Sequence, residues 1–232
     1  MPVYRLGREP VFPPPELAEE DGLLAYGGRL TPPWLLAAYR EGIFPWYDEP
    51  PILWWCPDPR LVLVPSELKV SRSLRATVRK GRLEPRIDTA FRAVIESCAS
   101  IKRKHEAGTW ITREVMNGYT TLFEQGIAHS FETWCDGELV GGLYGICLGR
   151  MFFGESMFAR VTDASKVALV TLAEALKARS IELIDCQMRT DHLVSMGARE
   201  ICRAEFLGEV RALVQEPTAM GPWTVATPLR EA

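Results

Sequence analysis

Polar and apolar positions follow two rhythms along the chain. Between residues 130 and 158, the stretches SFETWC, ELVGGLYGICL and MFFGESMF are rich in β-branched and aromatic residues. Asp136-Gly137 and Gly149-Arg150 separate them, which predicts a three-stranded antiparallel meander. Elsewhere the period lengthens. From Asp88 to Lys104 the residues Phe91, Val94, Ile95, Cys98 and Ile101 recur at helical spacing, and from Thr112 to Gln125 so do Val115, Tyr119 and Leu122. A further helix is predicted from about Asp163 to Arg179, followed by a strand, IELIDCQM, from residue 181 to 188.

The first 66 residues break this regularity, holding more than ten of the seventeen prolines together with several Gly and Trp. Turns around short elements are predicted there. One helix is legible: Thr31 can cap it, Pro32 fits its first turn, WLLAAYRE continues it and Gly42 ends it. A domain boundary is placed near Pro65, giving a small N-terminal Pro/Trp-rich domain (1–66) and a larger domain (67–232). No internal repeat or low-complexity tract is present.

Of 232 residues, 47% are hydrophobic and 25% charged, which excludes disorder and fibrous classes. No run of eighteen apolar residues and no leader-like N-terminus is visible, so a cytoplasmic protein without membrane contact is expected. Six cysteines lacking any C-x-x-C and only three histidines show no metal-ligand spacing, so no metal is expected.

The net charge of -3 hides an asymmetry. Residues 69–104 carry eleven Lys or Arg against three acids, a local +8, leaving -11 for the rest. Such a run is ordinarily a solvated face. On an acidic body it also suits docking of one phosphate-rich RNA or DNA segment, and the residues alone leave both readings open.

Two acids stand in apolar strands. Alternation puts Asp185 and Gln187 on one face, roughly 6.5–7 Å apart. Glu155 interrupts MFFGESMF, where a lone carboxylate is costly unless a cation meets it, and Gly154 can mark a bulge that re-aims the strand. Ser156, Asp185 and His192 follow the order of a hydrolase triad, but G-E-S-M-F is not a nucleophile elbow, and GGLYG opens no helix that would make it a phosphate loop.

The strings FPPPELAEEDGLLAYGGRL, AYREGIFPWY, WWCPDPR, VSRSLR, GTWIT, AHSFE, GLYG, FFGESMF, ASK, LIDCQMRTDH and SMGARE are collinear from about residue 12 to about residue 207. Together they resemble the bacterial leucyl/phenylalanyl-tRNA protein transferases. The resemblance implies an α+β fold: a small N-terminal domain, then a larger GNAT-like acyltransferase domain with a mixed, mostly antiparallel sheet flanked by helices. It implies transfer of Leu or Phe, with Met a further candidate, from aminoacyl-tRNA to proteins or peptides with N-terminal Arg or Lys. The coenzyme A loop of acetyltransferases is missing, as befits a tRNA donor, and no cofactor is implied.

Carried over by position, Asp185, Gln187, Glu155 and Tyr119 resemble the polar reaction centre. Trp55 and Trp110 resemble the aromatics around the terminal adenosine. Leu143, Phe152, Met157, Leu169, Leu172 and Ile184 resemble the donor side-chain wall. Arg75, Arg79, Lys80 and Arg82 are the tRNA-docking candidates of the basic block, and Trp34 and Trp46 are read as packing residues. Leu143 and Leu172 stand where the family usually has Met and Phe.

An aminoacyl ester is already activated, so orienting an amine beside the carbonyl is the main task. Asp185 and Gln187 are expected to hold that amine, and Asp185, with or without Glu155, to supply the negative charge that selects basic N-termini. Two alternatives stand beside this: a GNAT-like transferase for another amine, such as a cell-wall precursor, and a non-catalytic RNA-binding module.

Overall fold

The computed structural model describes residues 3–101 and 109–224. Its strands are β1 (Tyr4–Arg5), β2 (Leu23–Tyr26), β3 (Phe44–Pro45), β4 (Leu53–Trp55), β5 (Arg60–Leu63), β6 (Glu84–Ile87), β7 (Ala128–Cys135), β8 (Glu138–Leu148), β9 (Met151–Ala159), β10 (Leu183–Gln187) and β11 (Arg199–Ile201). Its helices are α1 (Pro32–Arg40), α2 (Arg72–Lys80), α3 (Phe91–Ser100), α4 (Arg113–Glu124), α5 (Ala164–Lys177), α6 (Asp191–Ser195) and α7 (Arg203–Leu213).

Two mixed sheets result. A four-stranded sheet, β1-β2-β4-β3, gathers residues 4–55, and a seven-stranded sheet, β11-β5-β10-β9-β8-β7-β6, carries the rest. In the larger sheet only β9 and β10 run parallel; every other pair is antiparallel. The predicted meander is β7-β8-β9. Strand β5 precedes Pro65 in sequence yet pairs between β11 and β10 in the larger sheet.

Helices cover both faces of this sheet, because β8 is apolar on both sides. Leu143 and Cys147 pack with α5 residues Val167, Ala168 and Leu172. Tyr144 and Ile146 pack in the other core with Val94 and Ile95 of α3 and Val115, Tyr119 and Leu122 of α4. Trp34, Leu35, Ala38 and Tyr39 of α1 join that second core, so the small sheet and the large one share it. The glycines of β8 allow the close approach: a Cβ on Gly141 would lie 2.5 Å from the Cβ of Ala164. At the junction, a Cβ on Gly118 of α4 would lie 2.2 Å from the Leu30 carbonyl oxygen.

Helix α3 is shorter than its periodicity implies. It begins at Phe91 because Asp88 adopts a left-handed conformation (φ 57°) and spends its carboxylate on His129 Nδ1 and the backbone N–H groups of Ser130 and Trp223. The C-terminal end of that expected helix, Lys102 to Lys104, lies outside the described residues.

Candidate active site

The one parallel pairing sets the stage. Strands β9 and β10 pair from Leu183–Met151 to Asp185–Phe153, and beyond that point each strand bulges. On β9, Tyr144 faces Ser156 and Gly145 faces Gly154, so Glu155 is the extra residue. On β10, Asp185 faces Val62 and Gln187 faces Leu61, so Cys186 is the extra one. A bulge re-aims side chains and ends regular pairing. Glu155 and Gln187 are thereby turned into a cavity of about 490 Å³ between the parting strands.

The cavity has an apolar wall formed by Leu143, Met157, Leu169, Leu172 and Ile184. Phe44, Pro45, Trp46 and Trp110 line it further, and Met188 and Leu193 belong to the same lining. Of the expected wall, only Phe152 stays out. It is fully buried behind the wall, its ring edge-on to Phe131 at 5.9 Å, where a Cβ on Gly145 would meet it at 2.6 Å. Trp55 does not line the cavity; its indole N–H donates to the Trp46 carbonyl (2.6 Å), and Trp46 occupies the lining position instead. Trp46 is 37% exposed, an unusual state for a large ring and a signal that packing alone does not explain it.

Glu155 sits in a cage of phenols. Tyr39 donates to its Oε1 at 2.6 Å and Tyr119 to its Oε2 at 2.9 Å, and the two hydroxyls also touch each other. Four oxygens make three contacts here, and with both phenol protons spent on the carboxylate the contact between the two hydroxyls has none. A protonated carboxyl fills all three by donating to Tyr39, which then donates to Tyr119 while Tyr119 donates back to Oε2. Burial pushes Glu155 up to about 7, against the phenolic hydrogen bonds that favour the anion. Burial likewise holds Tyr39 and Tyr119 well above the usual phenol range, so both remain donors. Tyr39 comes from α1, Tyr119 from α4 and Glu155 from β9, and Tyr39 went unnoticed in the sequence because its spacing there is that of an ordinary apolar helix face.

Asp185 is placed differently from its expected role. It is fully buried and receives a bidentate pair from Arg60, Nε to Oδ1 at 2.8 Å and the second nitrogen to Oδ2 at 2.7 Å. Its charge is therefore met by an internal cation, and the expected pair of open acids reduces to Glu155. Alternation put Asp185 and Gln187 on one face; the bulge sends only Gln187 into the cavity. The hydrolase triad fails on the same contact, since Asp185 is engaged by Arg60 while Ser156 and His192 line the cavity. Within that lining, Gln187 Nε2 and His192 Nε2 are buried with no protein partner among the described residues. Burial, then the charge of Lys166, lowers His192 below the usual imidazole range.

The basic residues lie apart from the cavity, on α2. Ser71 caps this helix by accepting from the Leu74 N–H, Gly81 ends it in the left-handed region, and Leu74 alone is buried. Arg75, Arg79 and Lys80 are exposed on it, and Arg82, just beyond, pairs loosely with Asp136 at 3.4 Å. A second cavity, about 440 Å³, contains Arg150, Lys177 and Arg199, but Arg150 pairs with Glu182 and Arg199 with Glu205. Among the described residues no three His, Cys, Asp or Glu are grouped to hold a metal, and no helix is long and apolar enough to cross a membrane.

An apolar recess that ends in hydrogen-bonding groups, opened where two sheet strands part, suits an enzyme that grips an acyl side chain and leaves the carbonyl at the polar end: the site of an acyl-group transferase. Comparison with known proteins identifies the kind. The family profile described as leucyl/phenylalanyl-tRNA protein transferase matches residues 62–211, and its N-terminal domain profile matches residues 28–58. A protein named leucyl/phenylalanyl-tRNA–protein transferase from Anaeromyxobacter sp. (strain K) is 57% identical over 224 residues, 96% of each chain. Its namesake from Azoarcus sp. (strain BH72) is 58% identical over 94% of each chain, and that from Myxococcus xanthus (strain DK1622) 54% over 97% of each. The chain belongs to the leucyl/phenylalanyl-tRNA protein transferase family and is an aminoacyltransferase.

Proposed function

We propose that this enzyme transfers Leu or Phe, and with them Met, from aminoacyl-tRNA to the α-amine of proteins beginning with Arg or Lys, marking them in the cytoplasm for degradation by the N-end rule. The observation that carries the reading is the cavity itself: an apolar wall of five aliphatic side chains facing Glu155 and Gln187. The wall takes an uncharged side chain and separates neighbours differing by one methylene by only about 1–3 kcal/mol, so several unbranched or γ-branched donors fit. Trp46 and Trp110 at the same cavity offer faces for the terminal adenosine. The single parallel pair that parts at the site supports a GNAT-like layout for the larger domain.

The incoming amine has an intrinsic pKa of about 7.7–8.0, so an appreciable neutral fraction is present near pH 7. No strong base is required. Gln187 holds the donor carbonyl in line through its unspent amide N–H groups, or the amine through its amide oxygen, which accepts, and Glu155 meets the cationic side chain of the acceptor once it has lost its proton. Asp185 serves from beneath the floor. The exposed cations Arg75, Arg79, Lys80 and Arg82 dock the acceptor stem through its phosphates.

The test is mass spectrometry of peptides beginning with Arg, Lys, Asp or Glu after incubation with Leu-tRNA. One added leucine on the Arg and Lys peptides alone is expected. Transfer to none of them, with an unrelated amine accepting instead, would falsify the proposal.

A further inference from the structure

Resting on that reading of the cavity, the geometry points to Arg60 as a positioning residue of the reaction: by clamping Asp185 it holds Gln187 in the backbone conformation that aims its amide into the cavity.

The chain of contacts is short. Arg60, the first residue of β5, is fully buried, and its guanidinium carbon lies over two rings, 4.7 Å from the centre of Phe44 and 4.3 Å from that of Phe206. From there it grips both oxygens of Asp185. Asp185 Oδ1 accepts a further hydrogen bond, from the Gln187 backbone N–H at 2.9 Å. Gln187 needs this help because its φ is 54°, in the left-handed region that a residue with a Cβ enters only when its surroundings impose it. The same bulge leaves Gln187 Nε2 buried in the cavity and unpartnered. Arg60 thus does more than neutralise a carboxylate. Lysine would neutralise it too, but a point charge lacks the planar fork that orients both oxygens and keeps Oδ1 turned towards Gln187.

A double-mutant cycle tests this in leucine transfer to an Arg-initiated peptide. Gln187→Ala should lower kcat by about 10²-fold, the usual cost of one lost positioned donor. Arg60→Lys should lower kcat by about tenfold, with KM for tRNA and for peptide moving less than about twofold. If Arg60 acts through Gln187, the double variant should match Gln187→Ala within about twofold; losses that multiply would assign Arg60 to folding alone and overturn the inference. Should Arg60→Lys not fold, Phe206→Leu, which removes one ring from the guanidinium at a residue that does not itself line the cavity, enters the same cycle with the same two outcomes. A readout free of activity accompanies both. The Gln187 side-chain amide resonances, assigned by their loss in Gln187→Ala, should shift in Arg60→Lys or Phe206→Leu, and unmoved resonances would overturn the inference. A wild-type chain that transfers nothing would count against the proposed function alone, and the resonances would then decide on Arg60.

Discussion

Glu155 is the residue whose proton the cavity controls. Its carboxyl is neutral below about pH 7 and anionic above, so capture of a cationic N-terminus should strengthen as pH rises through about 7. The kcat/KM for peptide should climb over that range, and Glu155→Gln should remove the climb while leaving any rise due to the amine itself near pH 8. Stability runs the other way. The folded chain keeps this proton to higher pH than the unfolded chain, whose carboxyl titrates near 4.5, so this group's contribution falls between about 4.5 and about 7 and is level beyond. A Tm measured across that window should slope less in Glu155→Gln; an unchanged slope would contradict the raised carboxyl. Asp185→Asn tests the other acid: it leaves Arg60 buried without its anion, a loss of about 3–5 kcal/mol. Turnover should drop heavily while filter binding of tRNA stays intact.

On the function proposed above, two elements meet the two ends of the aminoacyl-tRNA donor. Helix α2 buries Leu74 and presents Arg75, Arg79 and Lys80 to solvent, so neutralising any one should weaken every donor tRNA alike and reduce the slope of log affinity against log salt by about 1. A variant that changes preference between tRNAs at constant slope would refute the docking role. Helix α5 supplies Leu169 and Leu172 to the donor wall, and Leu172→Phe should shift competition between Phe-tRNA and Leu-tRNA towards leucine by about 10-fold, since the ring fills space a larger donor needs. Helices α1, α3, α4 and α5 and the meander are legible because their periods of 3.6 and 2 persist over eight or more residues, whereas α2, α6 and α7 go unread. The bulges at Glu155 and Cys186 are not legible either. Gly154 hinted at the first, but a one-residue slip leaves no mark in a hydrophobic pattern, and the alternation that paired Asp185 with Gln187 failed at that step. Arg60 was equally hidden, because an arginine in a Pro-rich stretch looks solvated until its partner, 125 residues away, is known.

At the scale of the whole molecule, the small sheet contributes to the candidate site. Tyr39 reaches Glu155 from α1, and Phe44, Pro45 and Trp46 line the cavity from the same part of the chain. Gly118 sets how closely α4 meets that part: Gly118→Ala forces a methyl against the Leu30 carbonyl, should cost about 1–3 kcal/mol in urea unfolding, and should lower turnover by parting Tyr119 from Tyr39. A substitution without effect on either would show the junction to be looser than its spacing. The sequence resemblance names most of the residues of the cavity wall; of Trp46 and Trp55, nine residues apart with their rings in contact, it names Trp55, while the ring that lines the cavity is that of Trp46. The scattering of these groups also governs when activity can first arise during synthesis. The phenol from residue 39, the carboxyl from residue 155 and the amide from residue 187 leave the ribosome far apart in time, so a nascent chain interrupted before its tenth strand lacks the Gln187 end of the cavity, and on the function proposed above the ester bonds on which translation depends should be safe from half-made enzyme.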